Sequence, residues 1–374
     1  MMLTNNTLKL ERRIAKLTSR SDAIAVGRAA WGLFVILSIW KVTCKSQKIA
    51  LPSFVCQSVL AAILLAGWEP EFCDIDLTTG NVSNLEWLRI IELGVDAILF
   101  VNLFGNVGDA FYIAEACRAK GIYFIEDAAQ SFGGSWEDKP SGTFGNASII
   151  SFGHTKLIDV GQGGMVLTND SVFANAIRNF KGNRLPIPNS SITSKKFKEM
   201  FYEARHQLVI SPELAKESFK GLIDIYQPLI SSTWNPEASE KILIQLDYLD
   251  IAVRKRREKN LICKEALHDT ALVPLSMSEG SVPWRAVFRL PGIGWIEQKT
   301  ISEAVRTEVV DISNWYIPSH WLMTGFSDSA AKLISTERLS QEIFQLWIDD
   351  GTDEKSLKRA AAVLTLKLME LGYA

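Results

Sequence analysis

The sequence predicts an α/β fold: a large domain on a mostly parallel sheet flanked by helices, then a small α+β C-terminal domain. Three observations predict it. Short β-branched and aromatic runs alternate with amphipathic stretches through the first half. Side chains able to do chemistry fall just past the ends of two of those runs. After residue 182 the pattern turns helical, and mixed strand and helix signals return only after Pro283.

Taken in order, strands are expected at 49–54, 71–75, 97–102, 123–126, 148–152 and 165–168. Residues 55–66 and 109–120 between them have helical apolar spacing, which is the alternation of a parallel sheet with helical connections. The most apolar stretch, 29–40 (AAWGLFVILSIW), is about eight residues short of a membrane span and reads as a buried helix. Residues 183–230 read as a helical insert, in which Pro186, Pro188 and a serine-rich turn precede two helical segments. A long helix is expected at 237–268, with Ile242, Leu246, Leu249 and Val253 on one stripe. Its basic run RKRRE (254–258) is isolated and reads as a solvated face. A strand at 286–290, a helix near 298–306 and a terminal helix at 354–371 complete the chain. The expected division is 1–235 for the large domain and 236–374 for the connecting helix and small domain.

Composition narrows the function. The 374 residues carry a net charge of −2, so no overall field favours nucleic acid or an acidic membrane. Five cysteines, an odd count without C-x-x-C spacing, fit reduced thiols in a cytoplasmic protein. The start, MMLTNNTLKLERR, lacks the apolar core of a signal peptide. No His, Cys or carboxylate set has metal-ligand spacing.

The segment 124–170 is the most informative. An apolar strand delivers Asp127, a second ends at Ser151, and Lys156 follows in a Gly-rich loop. A carboxylate, a hydroxyl and an amine beyond strand ends are what pyridoxal 5'-phosphate chemistry needs. The amine condenses with the cofactor aldehyde. The carboxylate keeps the pyridine nitrogen protonated, so that the ring accepts electrons. The hydroxyl hydrogen-bonds a phosphate oxygen.

These residues and their flanks resemble the DegT/DnrJ/EryC1/StrS sugar aminotransferases, which have the type I pyridoxal phosphate transferase fold. AVGRAAWGLF (25–34) is similar to the family's phosphate turn and LPSFVCQSV (51–59) to its Pro-x-x-Thr-Phe strand end. EDAAQSFGG (126–134) is similar to its Glu-Asp-Ala-Ala-Gln signature, and SFGHTK (151–156) with GQGGMVLTND (161–170) to its lysine segment. QLDYLD (245–250), WYIPSH (315–320) and STERLSQEI (335–343) follow in order. The resemblance implies that Lys156 and Asp127 are catalytic. It also implies that Gly27, Arg28, Phe54, Asp127, Gln130, Ser151 and Lys156 bind the cofactor. Arg28 stands where the family has Thr or Ser, and its guanidinium either replaces that hydroxyl or points to solvent. Phe54 is a stacking ring or a core ring, and Gln130 a cofactor contact or a surface amide. Tyr316 and His320 are candidates to reach substrate, while His154 is given a supporting loop role.

One departure stands out. Ser231, Ser232 and Thr233 occupy the place of an Asn-Tyr-Arg segment that family members use to complete the partner subunit's site. The insert before it offers Arg184 and Arg205 as replacement cations. The function implied is transfer of an amino group from an amino acid, glutamate by resemblance, to a keto sugar, nucleotide-linked, in a homodimer. The alternatives are a sugar dehydratase, in which histidine replaces the lysine, and a non-catalytic regulatory or scaffolding relative.

Overall fold

The computed structural model describes residues 5–180, 190–308, 310–314, 316–324 and 333–373. Residues 183–189 of the insert, with Arg184, and Trp315 lie outside the described residues. The main strands are β1 (Asp22–Val26), β2 (Lys48–Pro52), β3 (Glu69–Cys73), β4 (Ala97–Val101) and β5 (Tyr123–Asp127). A small ribbon, β6 (Ser135–Trp136) and β7 (Lys139–Pro140), is followed by β8 (Ala147–Ser151) and β9 (Gly164–Thr168). The seven-stranded sheet runs β1-β9-β8-β5-β4-β2-β3. Its neighbours from β3 to β8 are parallel, and β9 alone runs against the rest.

Central strands β4 (AILFV) and β9 (GMVLT) are buried along their whole length, which is why they read as unbroken apolar runs. The sequence reading passed over β1, whose DAIAV is short and sits beside the Gly27 turn. The helix Ala29–Trp40 is buried on nearly every side, packed on helix Gln57–Leu65 and on β8 and β9. No helix among the described residues is long and apolar enough to cross a membrane.

The expected helix at 237–268 is two helices, Ala238–Leu246 and Leu249–Ala266. Tyr248 leaves helical geometry (φ −111°, ψ 14°), and the two pieces serve different cores. Ile242 and Leu246 pack with Leu10 and Ile14 of the first helix, whereas Cys263 packs under the second sheet. The basic run is a solvated face as expected at Arg254, Lys255, Arg257 and Glu258, all exposed, with one exception. Arg256 is buried, its Nη1 donating to the Trp284 carbonyl at 2.8 Å, because this face of the helix meets the small sheet. That sheet is antiparallel: β10 (Val273–Pro274), β11 (Ala286–Arg289), β13 (Ile343–Leu346) and β12 (Ile312–Ser313), in that spatial order. Helices Trp295–Glu308 and Glu354–Glu370 pack beside it. The insert forms helices Ser190–Gln207, Pro212–Phe219 and Leu222–Tyr226, and Phe197, Phe201 and Phe219 are its buried rings.

One buried ion cluster fixes the end of β5. Glu126 accepts from Asn102 Nδ2 (3.0 Å), Ser141 Oγ (3.1 Å), and the Gly142 (2.9 Å) and Phe144 (3.0 Å) amides. Arg20 closes the far side, donating to the carbonyls of Gly142, Phe144 and Gly145 and to Ser148 Oγ. Arg20→Ala leaves a buried carboxylate and three carbonyls without their cation. We expect a loss of about 3–5 kcal/mol of stability by urea denaturation. A change under about 1 kcal/mol would contradict this role.

Candidate active site

The carboxyl ends of the parallel strands open into a cavity of about 1020 Å³. Arg28, Asp127, Gln130, Ser151 and Lys156 line it together. Side chains alternate along β5, so Glu126 is enclosed by its cluster while Asp127 meets the cavity. Asp127 is buried, and its Oδ1 accepts from the Ala129 amide at 2.9 Å. Ser151 ends β8, with Oγ accepting from the Gly153 amide at 3.3 Å and its own proton left to donate.

Lys156 sits in the loop between β8 and β9. Thr155, at φ 71°, turns the chain there, with its amide on Asp159 Oδ2 (2.6 Å) and its carbonyl bonded by Trp284 Nε1 (2.9 Å). Gln245 clamps the loop through the Asp159 amide and carbonyl, at 2.9 and 2.8 Å. The Lys156 ammonium position is 5.1 Å from the Trp284 ring centroid, within cation–π reach. Desolvation pushes the amine below its ordinary value, helped by the Arg285 charge and opposed by Cys56 and Asp127. Desolvation likewise raises the Asp127 carboxyl, against the Ala129 amide and Lys156.

Other expected residues sit differently. Phe54 does not line the cavity: it is fully buried against Phe104 and Tyr316, with ring centroids 6.0 and 5.5 Å away. This corrects the stacking expectation. β2 ends at Pro52, so Phe54 lies in the following bend and turns inward, while Val55 and Cys56 reach the cavity. Gly27 is buried behind the cavity lining, where a Cβ would come within 2.5 Å of the Ser232 backbone; glycine is required there for close passage of the 231–233 segment. Arg28 lies on the cavity wall, with Nη1 donating to the Leu229 carbonyl at 3.2 Å. No side chain caps the Ala29–Trp40 helix that follows. Gln130 spends its amide internally, Oε1 on the Phe104 amide (2.6 Å) and Nε2 on the Tyr316 hydroxyl (2.9 Å). Tyr316 lines the cavity; His320 is buried between Ser53 Oγ (2.8 Å) and Glu337 Oε1 (3.2 Å). His154 is exposed on the loop.

The sequence reading missed Trp284 and Arg285. The Arg285 guanidinium lies 4.5 Å from the Trp284 ring and 4.1 Å from Trp347, and burial and Arg256 hold it at about 10. A lone arginine at a strand start has no motif, and Trp347 is remote in sequence. From the insert, Arg205 and Tyr202 reach the cavity, as do Lys299 and Arg306 of helix Trp295–Glu308.

This constellation fits pyridoxal phosphate: an uncapped helix N-terminus and a free hydroxyl proton suit a phosphate, a buried carboxylate suits a ring nitrogen, and a desolvated amine suits an aldehyde. The chain belongs to the DegT/DnrJ/EryC1/StrS aminotransferase family, whose sequence model matches residues 1–197. It is 30% identical over 183 residues to the GDP-perosamine synthase of Escherichia coli O157:H7, covering 49% of this chain and 50% of that protein. It is 34% identical over 130 residues to the dTDP-4-dehydro-2,3,6-trideoxy-D-glucose 4-aminotransferase of Saccharopolyspora spinosa, covering 35% and 34%. The chain thus spans about half the length, or less, of these curated relatives. In fold it is similar to Helicobacter pylori PseC, an aminotransferase involved in the biosynthesis of pseudoaminic acid, with TM-score 0.80 and 17% identity over 98% of this chain and 92% of that one.

The lowered lysine yields a signed prediction. The neutral amine is the reactive form, so Lys156 acetylation rises with pH through a midpoint below that of ordinary lysines. Arg285→Ala removes a like charge and raises this midpoint; Asp127→Asn removes an attractive charge and lowers it. Competitive acetylation of the cofactor-free protein across pH, read by mass spectrometry of the Lys156 peptide, checks both directions. Equal midpoints in all three proteins would contradict the electrostatic account.

Proposed function

We propose that this chain is a pyridoxal phosphate-dependent aminotransferase. It moves an amino group from an amino acid, glutamate by family resemblance, to a nucleotide-linked keto sugar for amino-sugar or surface polysaccharide biosynthesis. The observation that carries this reading is the meeting of Lys156, Asp127 and Ser151 in one cavity at the sheet edge. Lys156 is itself the argument against the dehydratase alternative, which resemblance ties to histidine at this position. The relatives named for GDP- and dTDP-linked sugars support a nucleotide-linked acceptor.

In this reading Ser151 and the first amides of the Ala29–Trp40 helix hold the cofactor phosphate, and Arg28 adds positive charge at the rim. Bound there, the cofactor supplies an aldehyde that captures amines and a ring that accepts an electron pair. Asp127 holds the proton on the ring nitrogen. Lys156, first the anchoring amine, takes the proton from Cα of the donor and delivers it back to carbon. Its lowered pKa provides the neutral amine this needs. Trp284 confines its swing, and Gln130 and Tyr316 form a fixed wall beside it. The reading includes a large domain over 1–235 with the insert, a small domain over 236–374, a homodimer and a cytoplasmic location. The five unpaired cysteines support the last.

Pyridoxal phosphate added to the purified protein should give a visible absorption band that glutamate bleaches. Lys156→Ala should lack the band, and Asp127→Asn should keep binding but slow bleaching by about a hundredfold or more. A wild-type protein that shows no band, or a Lys156→Ala protein that transaminates normally, would contradict the reading. Light scattering at micromolar concentration should show a dimer; a monomer would remove that part of it.

A further inference from the structure

One tryptophan joins two strained turns. Among the described residues, six other than glycine have positive φ: Ser19, Gln47, Phe104, Glu137, Asp138 and Thr155. Such backbone brings Cβ against the following carbonyl oxygen, so a residue with a side chain keeps it only where its surroundings enforce it. Phe104 (φ 59°, ψ 12°) is the one of the six that is buried, and Thr155 (φ 71°) is the residue before Lys156. Trp284 holds both. Its backbone amide donates to the Phe104 carbonyl at 2.8 Å, and its indole Nε1 donates to the Thr155 carbonyl at 2.9 Å.

The Phe104 turn is enforced by its ring and by the chain that lies along it. The ring packs on Phe54 and covers Gly80, where a Cβ would come within 2.8 Å of it. Gly105 (φ 82°) extends the turn, and its carbonyl accepts from the Val282 amide at 3.3 Å. Asn106 accepts from the Ser278 amide (3.0 Å) and donates to the Ser276 carbonyl (2.9 Å), and the Val107 amide donates to Ser281 Oγ (2.9 Å). Residues 276–284 are thus seated on the turn after β4 before β11 enters the small sheet. Phe104 does not line the cavity, so it acts there only through Trp284 and Gln130, which do. The Thr155 turn is less well supported. Its bond to Asp159, and those of Asp159 to Gln245, lie at the surface, where water competes for them. The indole ties this turn to the interior, and the same ring lies 5.1 Å from the Lys156 amine.

We propose that Phe104 is a positioning residue for Lys156: its left-handed turn fixes Trp284, and Trp284 fixes the turn from which the amine projects. This deepens the function proposed above and rests on it for what the amine does. The strain at Phe104 then has a use. It aims one backbone carbonyl at the Trp284 amide while the amide of the same residue holds Gln130, so two walls beside the amine are set by one residue outside the cavity.

Competitive acetylation of Lys156 across pH, on the cofactor-free protein, tests this, with urea denaturation as the control for packing. Phe104→Asn and Phe104→Val both remove the ring, but asparagine tolerates positive φ and β-branched valine does not. We expect Phe104→Asn to keep the wild-type midpoint. Phe104→Val should raise it by about half a pH unit or more, as the indole withdraws and water reaches the amine. Trp284→Phe, which keeps a ring but not Nε1, should raise it too. A packing role for the ring predicts the reverse order, since valine suits an apolar pocket better than asparagine. Valine that matches or outperforms asparagine would overturn the proposal, as would an unchanged midpoint in Trp284→Phe. If neither Phe104 variant folds, Trp284→Phe decides alone: a raised midpoint supports the proposal and an unchanged one overturns it. The expected order of midpoints in a protein that never binds pyridoxal phosphate would sink the cofactor reading and leave this positioning role standing.

Discussion

The buried cluster of Glu126 and Arg20 is the constraint on which the site depends. Glu126 is fully enclosed, and its four hydrogen-bond donors come from two separate stretches: Asn102 after β4, and the 141–144 turn before β8, which gives Ser141, Gly142 and Phe144. Arg20 ties the same turn to the start of the chain just before β1. Burying these charges is unfavourable unless every lone pair is met, so the geometry tolerates little drift. Since successive side chains of a strand face opposite ways, fixing Glu126 also fixes Asp127 toward the cavity. The cavity-facing carboxylate thus inherits its position from its structural neighbour.

A second consequence concerns charge. Asp127, Lys156 and Arg285 share one poorly hydrated cavity, and desolvation shifts each toward its neutral form. Lys156 is drawn in both directions, toward neutrality by burial and Arg285, toward the ammonium by Asp127. The two tryptophan faces that hold Arg285 stop it from swinging out to water, so its influence on Lys156 is fixed in place. A polar ligand entering this cavity meets dipoles and charges that are already oriented.

Much of this was legible in the sequence because the parallel sheet is a repetitive object. Apolar runs at the positions of β2, β4, β5, β8 and β9 are direct images of strands buried on both faces. Asp127, Ser151 and Lys156 could be placed together because strand ends of such a sheet share one edge. What escaped depends on bends and on distant contacts. Phe54 was expected in a strand that stops two residues earlier, and after such a bend the direction of a side chain no longer follows from alternation. The break at Tyr248 is imposed by two different cores, not by a breaker residue. Arg285 gains its environment from Trp347, a pairing that no local pattern announces.

The central claim is that one amine, Lys156, captures the cofactor at the sheet edge. Borohydride reduction of the protein mixed with pyridoxal phosphate, followed by digestion and mass spectrometry, tests it most directly. The account predicts a single pyridoxyl adduct, on the peptide that contains Lys156, and its loss in Lys156→Ala. An adduct on another lysine at comparable yield, or none at all, would contradict it.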